Sequence, residues 1–164
     1  MLSWLEESRF EWTATIALAL KQIIAGRSII IVTDSDRQWF GHYIVNTLNK
    51  ATTQRPMISV SRIESLYPNY HVVTADTLDM LEDMLSLSYK DEYFFWYIGR
   101  GNDKAADLPK SQDSSFLWLM DEDYQNAYTM RSYEPLLDIK MLQLYRQFDK
   151  SLNAVLFGEV NVDE

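Results

Sequence analysis

A three-layer αβα sandwich around a mainly parallel sheet of about five strands, an α/β fold, is predicted by two features of the sequence. Runs such as Ser28–Thr33 and the aromatic stretch 93–98 are apolar without alternation, as strands covered on both faces must be. Stretches with helical apolar spacing separate them, which sets helices against both faces of a sheet. A length of 164 residues fits one compact domain, taken as residues 1–164, with no repeat or linker.

The first helix is expected over residues 2–25, where Trp12, Ile16, Leu20, Ile23 and Ile24 make one stripe and Gly26 supplies the stop. Ala14, Leu18 and Ala25 lie off that stripe, so this helix reads as buried from two directions, by a core and by a partner subunit. Trp12, Ala14 and Leu18 are accordingly the expected oligomer contacts. Ser28–Thr33 is the first strand and ends in Asp34-Ser35-Asp36, residue types that cap the orphan amides of a helix. That helix is expected from Arg37 onward, with Trp39, Phe40, Tyr43, Ile44, Val45 and Leu48 at helical spacing.

After Pro56, residues 57–61 read as a second strand. Residues 70–74 are a further candidate of open direction, because the connection is too short for a helical crossover. Residues 75–87 repeat helical spacing through Leu78, Leu81 and Leu85, with Met80, Met84 and Leu87 alongside and Asp76, Asp79 and Asp83 opposite. Residues 93–98 form an aromatic strand stopped by Gly99 and Gly101, residues 99–114 a loop, and residues 115–120 the last clear strand. The final helix is the plainest element: Leu137, Met141, Leu144, Tyr145, Phe148, Leu152, Val155 and Leu156 share one stripe, between Pro135 and Gly158.

Fifteen Lys plus Arg against 24 Asp plus Glu give a net charge of -9, which disfavours direct contact with DNA phosphates. Without cysteine there is no disulfide framework and no thiolate nucleophile or metal ligand. Residues 1–12 carry Glu6, Glu7, Arg9 and Glu11 and so do not read as a signal peptide, and no apolar run approaches the roughly 18 residues of a membrane span. The expectation is a cytoplasmic protein without membrane contact.

Ligands in such sheets sit at the carboxyl ends of strands, here near Asp34, Gly99 and Asp121. Asp34 and Asp36 have the spacing of nucleophile and general acid in magnesium-dependent phosphatases. Gln38 breaks that signature, and helix capping explains both aspartates. The first turn has no glycine to bring amides to a phosphate, and Gly99-Arg100-Gly101 is a weak anion motif. His42 and His71 form no zinc motif, and Ser35 stands about 10 Å from His42 by helical rise, too far for nucleophile and base. The cluster Asp121-Glu122-Asp123 reads as solvated rather than metal-binding, so neither metal nor cofactor is expected. The segment from Arg37 to Tyr43 instead mixes Arg, Trp, Phe and Tyr, the residue types that protein interfaces favour.

Several ungapped blocks are familiar. Ser35-Asp36-Arg37-Gln38-Trp39-Phe40-Gly41-His42-Tyr43-Ile44, Asn46-Thr47-Leu48-Asn49, Arg55-Pro56-Met57-Ile58-Ser59-Val60, Ser115-Phe116-Leu117-Trp118-Leu119, and the stretch from Leu136 to Tyr145 together with Val155-Leu156-Phe157 resemble the HobA family. Those proteins are DnaA-binding regulators of replication initiation in epsilonproteobacteria. The resemblance implies a Rossmann-like fold of the sugar isomerase (SIS) type, shared with the DnaA-associating protein DiaA, a homotetramer, binding of the amino-terminal region of DnaA, and no enzymatic activity. SIS enzymes hold sugar phosphates with Ser, Thr and Gly-rich turns, whereas Asp34 and Asp36 stand here, so a sugar-phosphate site is expected to be lost. For DnaA contact, Arg37, Trp39, Phe40, Tyr43 and Phe157 are the expected exposed anchors, with core or subunit burial of Trp39 and Tyr43 the competing explanation.

Overall fold

The computed structural model describes residues 9–50 and 55–158. Its helices are α1 (Arg9–Ile24), α2 (Gln38–Leu48), α3 (Ile63–Leu66), α4 (Ala75–Tyr89), α5 (Asp107–Lys110) and α6 (Leu137–Leu156). Its strands are β1 (Ser28–Thr33), β2 (Val60–Arg62), β3 (Tyr93–Arg100), β4 (Phe116–Met120) and β5 (Ala127–Met130). All four strand pairings are parallel, in the order β2-β1-β3-β4-β5. The expected α/β sandwich is thus observed, as a doubly wound sheet whose winding reverses between β1 and β3.

Alternation along each strand builds two cores. Ile29, Ile31, Phe94, Trp96, Ile98, Phe116, Trp118 and Met120 face α1, α2 and α6, where Phe40, Ile44, Met141, Leu144 and Phe148 are fully buried. Ile30, Val32, Phe95, Tyr97, Leu117 and Leu119 face the other layer, where Ile63, Tyr70, Leu81, Leu85 and Leu108 pack. The first core is aromatic at its centre: Trp96 lies 4.9 Å from Phe148 and 5.3 Å from Trp118, and Trp12 lies 5.5 Å from Tyr128 by ring centroids.

Several sequence expectations are corrected. Residues 70–74 hold a 3₁₀ turn at Tyr70–Val72, not a strand, because Tyr70 turns inward to donate a hydrogen bond to the Ala105 carbonyl at 2.8 Å. The second strand falls at Val60–Arg62 rather than residues 57–61. Gly99 does not stop β3, since pairing with β4 continues through Gly99 and Arg100. The expected loop 99–114 contains a 3₁₀ turn at Lys104–Ala106 and α5. The last strand is β5, reached from β4 through residues 121–126 alone. Ile24, placed on the buried stripe of the first helix, is 48% exposed: it is the last helical residue and lies at the edge of the stripe of Ile16, Ala19, Leu20 and Ile23, just before Gly26 at φ +85° ends the helix. Residues 2–8 of that expected helix lie outside the described residues. Met80, Met84 and Leu87 stand exposed while Leu81 and Leu85 alone of α4 are buried.

Arg55 fastens the segment before β2 to the first helical layer. Its guanidinium donates to the Leu48 carbonyl, Asp149 Oδ1 and Asn153 Oδ1 at 2.6–2.7 Å, joining the end of α2 to α6.

Candidate functional site

The β1/β3 reversal is where doubly wound sheets open a crevice for ligands. Here Asp34 closes it. The residue is almost fully buried, and its Oδ2 accepts from Arg37 Nη1 at 2.6 Å and from the Arg100 amide at 2.8 Å. Neither Asp34 nor Arg37 makes a side-chain cap to the helix that follows, so the capping role expected of Asp34 is corrected: the carboxylate is turned across the sheet to β3. Beside it the Tyr97 hydroxyl donates to the Arg100 carbonyl at 2.8 Å. A Cβ at Gly99 would lie 2.7 Å from that hydroxyl and 2.9 Å from the Asp34 amide, so a glycine is required for the strands to approach. Asp36 points outward, with its carboxylate 3.7 Å from Arg100. The two aspartates therefore do not converge on a common point. Among the described residues no cluster of three His, Asp or Glu side chains could hold a metal ion.

Burial raises the pKa of the Tyr97 hydroxyl strongly, with the Asp34 charge adding to it. Burial likewise raises Tyr70. Desolvation pushes Tyr145 from 10.0 up to about 12, opposed by its hydrogen bond with Thr47. A folded-state pKa above the unfolded one contributes stability that is whole below pH 10 and is lost as pH rises through about 12. Alkaline titration is expected to show tyrosinate absorbance from these three residues appearing together with loss of circular dichroism. Their ionisation with the fold intact would contradict the burial.

The five expected anchors do not form one patch. Phe40 is fully buried beneath Trp118 and Tyr145 and offers no surface. Arg37 is spent on Asp34, 7% exposed, and is corrected with it. Trp39 is 41% exposed, its ring edge-on to Phe40 at 5.4 Å. Tyr43 is half-buried against Tyr145, and its hydroxyl accepts from Arg146 at 3.1 Å. Phe157 is exposed just past α6, eleven residues beyond Arg146 and so about 16 Å farther along the helix axis. Of the expected oligomer contacts, Ala14 and Leu18 are exposed, whereas Trp12 belongs to the chain's own core, edge-on to Trp118 and Tyr128, and presents no interface.

What the sequence reading missed is the outer face of α6. Ile139, Leu142, Gln143, Arg146, Gln147 and Lys150 line a shallow, open groove of about 310 Å³ along one face of α6, and Arg146 among them donates to the Tyr43 hydroxyl. One turn earlier on the two helices stand Leu142 and Trp39. The signal was present: Ile139 and Leu142 are apolar residues off the buried stripe of a cleanly amphipathic helix, and Ile139 is half-exposed. An apolar floor with the cations Arg146 and Lys150 on its rim, and Tyr43 of α2 against Arg146, has the composition of a protein-docking surface.

The family model described as "HobA: DNA replication regulator" matches residues 1–162. The DNA replication regulator protein HobA of Helicobacter pylori is 32% identical, over 97% of this chain and 87% of that protein. The crystal structure of HobA from the same organism superposes with a TM-score of 0.84 at 29% identity, covering 96% of this chain and 86% of that one. A crystal structure of a HobA–DnaA (domain I-II) complex, also from Helicobacter pylori, gives 0.83 at 28% identity with the same coverage. The resemblance carried by the sequence blocks is borne out. Among the described residues no helix is long and apolar enough to cross a membrane.

Proposed function

The chain belongs to the HobA family of DNA replication regulators, and from that premise we propose that it is an adaptor for the initiator DnaA, binding its amino-terminal region and promoting its assembly at the origin. The observation that carries this is the likeness, over nearly the whole chain, to the HobA structure solved with DnaA domains I-II. The contact face we assign is Trp39 and Tyr43 with the groove of Ile139, Leu142 and Arg146, while Phe157 would contribute only as a separate contact. No catalysis is part of the function. Asp34, the nucleophile a phosphatase would need, is sealed behind Arg37 and Arg100, and the same plug occupies the place of a sugar-phosphate cradle. With a net charge of -9 the adaptor reaches DNA only through DnaA, and we place its action in the cytoplasm.

The working form we propose is a homotetramer. The outer side of α1, with Ala14 and Leu18, is apolar surface that one chain leaves exposed, as a subunit contact requires. Several copies of the docking face on one particle raise the effective concentration of DnaA molecules for one another without touching DNA. Light scattering on the chain alone and mixed with the amino-terminal domains of DnaA tests both parts. A tetramer that gains DnaA mass is expected. A monomer of 19.2 kDa would remove the scaffold, and a tetramer that gains none would remove the adaptor.

A further inference from the structure

The second helical layer carries an exposed apolar face that the proposed function does not use. On α4, Met80, Met84 and Leu87 are 53%, 45% and 82% exposed, while Leu81 and Leu85 hold the helix to the core. The helical rows Asp76-Met80-Met84 and Asp79-Asp83-Leu87, each stepping by four, lie side by side, so exposed carboxylates flank one edge of the apolar strip, with Thr77 and Ser88 on the other. Asp76 sits in the first turn, where the helix dipole favours it, but Asp79 and Asp83 lie beyond that turn and gain nothing there. The fifteen residues of α4 contain four acids, Glu82 included, and no Lys or Arg. Methionines adapt their shape to apolar partners, and an apolar strip edged by one sign of charge selects a helix of the opposite sign.

We propose that the outer face of α4 docks a basic amphipathic helix of a second protein, its apolar side on Met80, Met84 and Leu87 and its Lys or Arg side chains against Asp76, Asp79 and Asp83. Charge complementarity selects this occupant over an acidic or neutral one. Because α4 packs on the opposite side of the sheet from α2 and α6, such a partner leaves the Trp39 face open.

The test is a fluorescence titration of the full chain against a labelled synthetic leucine/lysine amphipathic helix. A peptide of the same composition scrambled to abolish its apolar side and a leucine/glutamate helix serve as comparisons. The four altered side chains are exposed, so M80Q/M84Q and D79N/D83N are expected to keep the wild-type circular dichroism. Binding of the leucine/lysine helix alone, weakened about tenfold by either double variant, is the expected result. Equal binding of the scrambled peptide, or binding unchanged in either variant, would overturn the proposal by reducing it to general attraction toward an acidic protein. If light scattering instead shows an assembly of this chain that M80Q/M84Q dissociates, the face joins two copies and the proposal is likewise overturned.

Discussion

Asp34→Ala is expected to be the most damaging single truncation at the carboxyl edge of the sheet, lowering stability by about 3–5 kcal/mol. The loss comes less from the missing contact than from what is left behind. Arg37, nearly buried, would keep its charge without a partner, and the Arg100 amide would lose its acceptor. For a chain of this size that corresponds to a fall in Tm of roughly 10 °C or more. The double variant Asp34→Ala/Arg37→Met should recover much of the loss, because an apolar side chain of similar volume removes the unpaired charge. Thermal unfolding of the three proteins followed by circular dichroism checks this, and a double variant no better than the single one would show that the pair does not act as described.

Trp39→Ala is expected to weaken DnaA binding by about 2 kcal/mol, roughly thirtyfold, while leaving Tm nearly unchanged. Trp39 is half-exposed above a core already closed by Phe40, so its removal opens no internal cavity. Ile139→Glu should act in the same direction, since it places a carboxylate on the apolar floor of the groove. Phe157→Ala, some distance along α6, should change affinity little. Binding isotherms of the three variants beside their melting curves decide it. Undiminished affinity in both Trp39→Ala and Ile139→Glu would move the contact elsewhere on the molecule.

The difference between Trp39 and Phe40 shows what periodicity cannot resolve. Both fit helical spacing, Trp39 in a row with Tyr43 and Phe40 in a row with Ile44 and Leu48, and it is the second row that the fold turns to the core. The long elements were legible because their signal is set by burial on both sides: β1, β3 and β4 are unbroken apolar runs, and the stripe of α6 follows its helix to Leu156. β5 was not, for it has four residues and its connection from β4 is half the length a parallel crossover normally needs. Tyr70, Val72 and Val73 carry strand propensity, yet the anchoring of Tyr70 on Ala105 overrides it with a turn. Asp34 looked like a helix cap because its neighbours in sequence are helical, whereas one of its two partners, the Arg100 amide, is 66 residues away. Long-range pairing of that kind leaves no local trace.

The adaptor function is tested most directly by calorimetric titration of the purified chain with the amino-terminal domains of DnaA. Saturable binding, with more than one DnaA taken up per assembled particle and affinity lowered by Trp39→Ala, is the predicted result. No heat and no saturation at tens of micromolar, with a chain that light scattering and circular dichroism show to be folded, would contradict it.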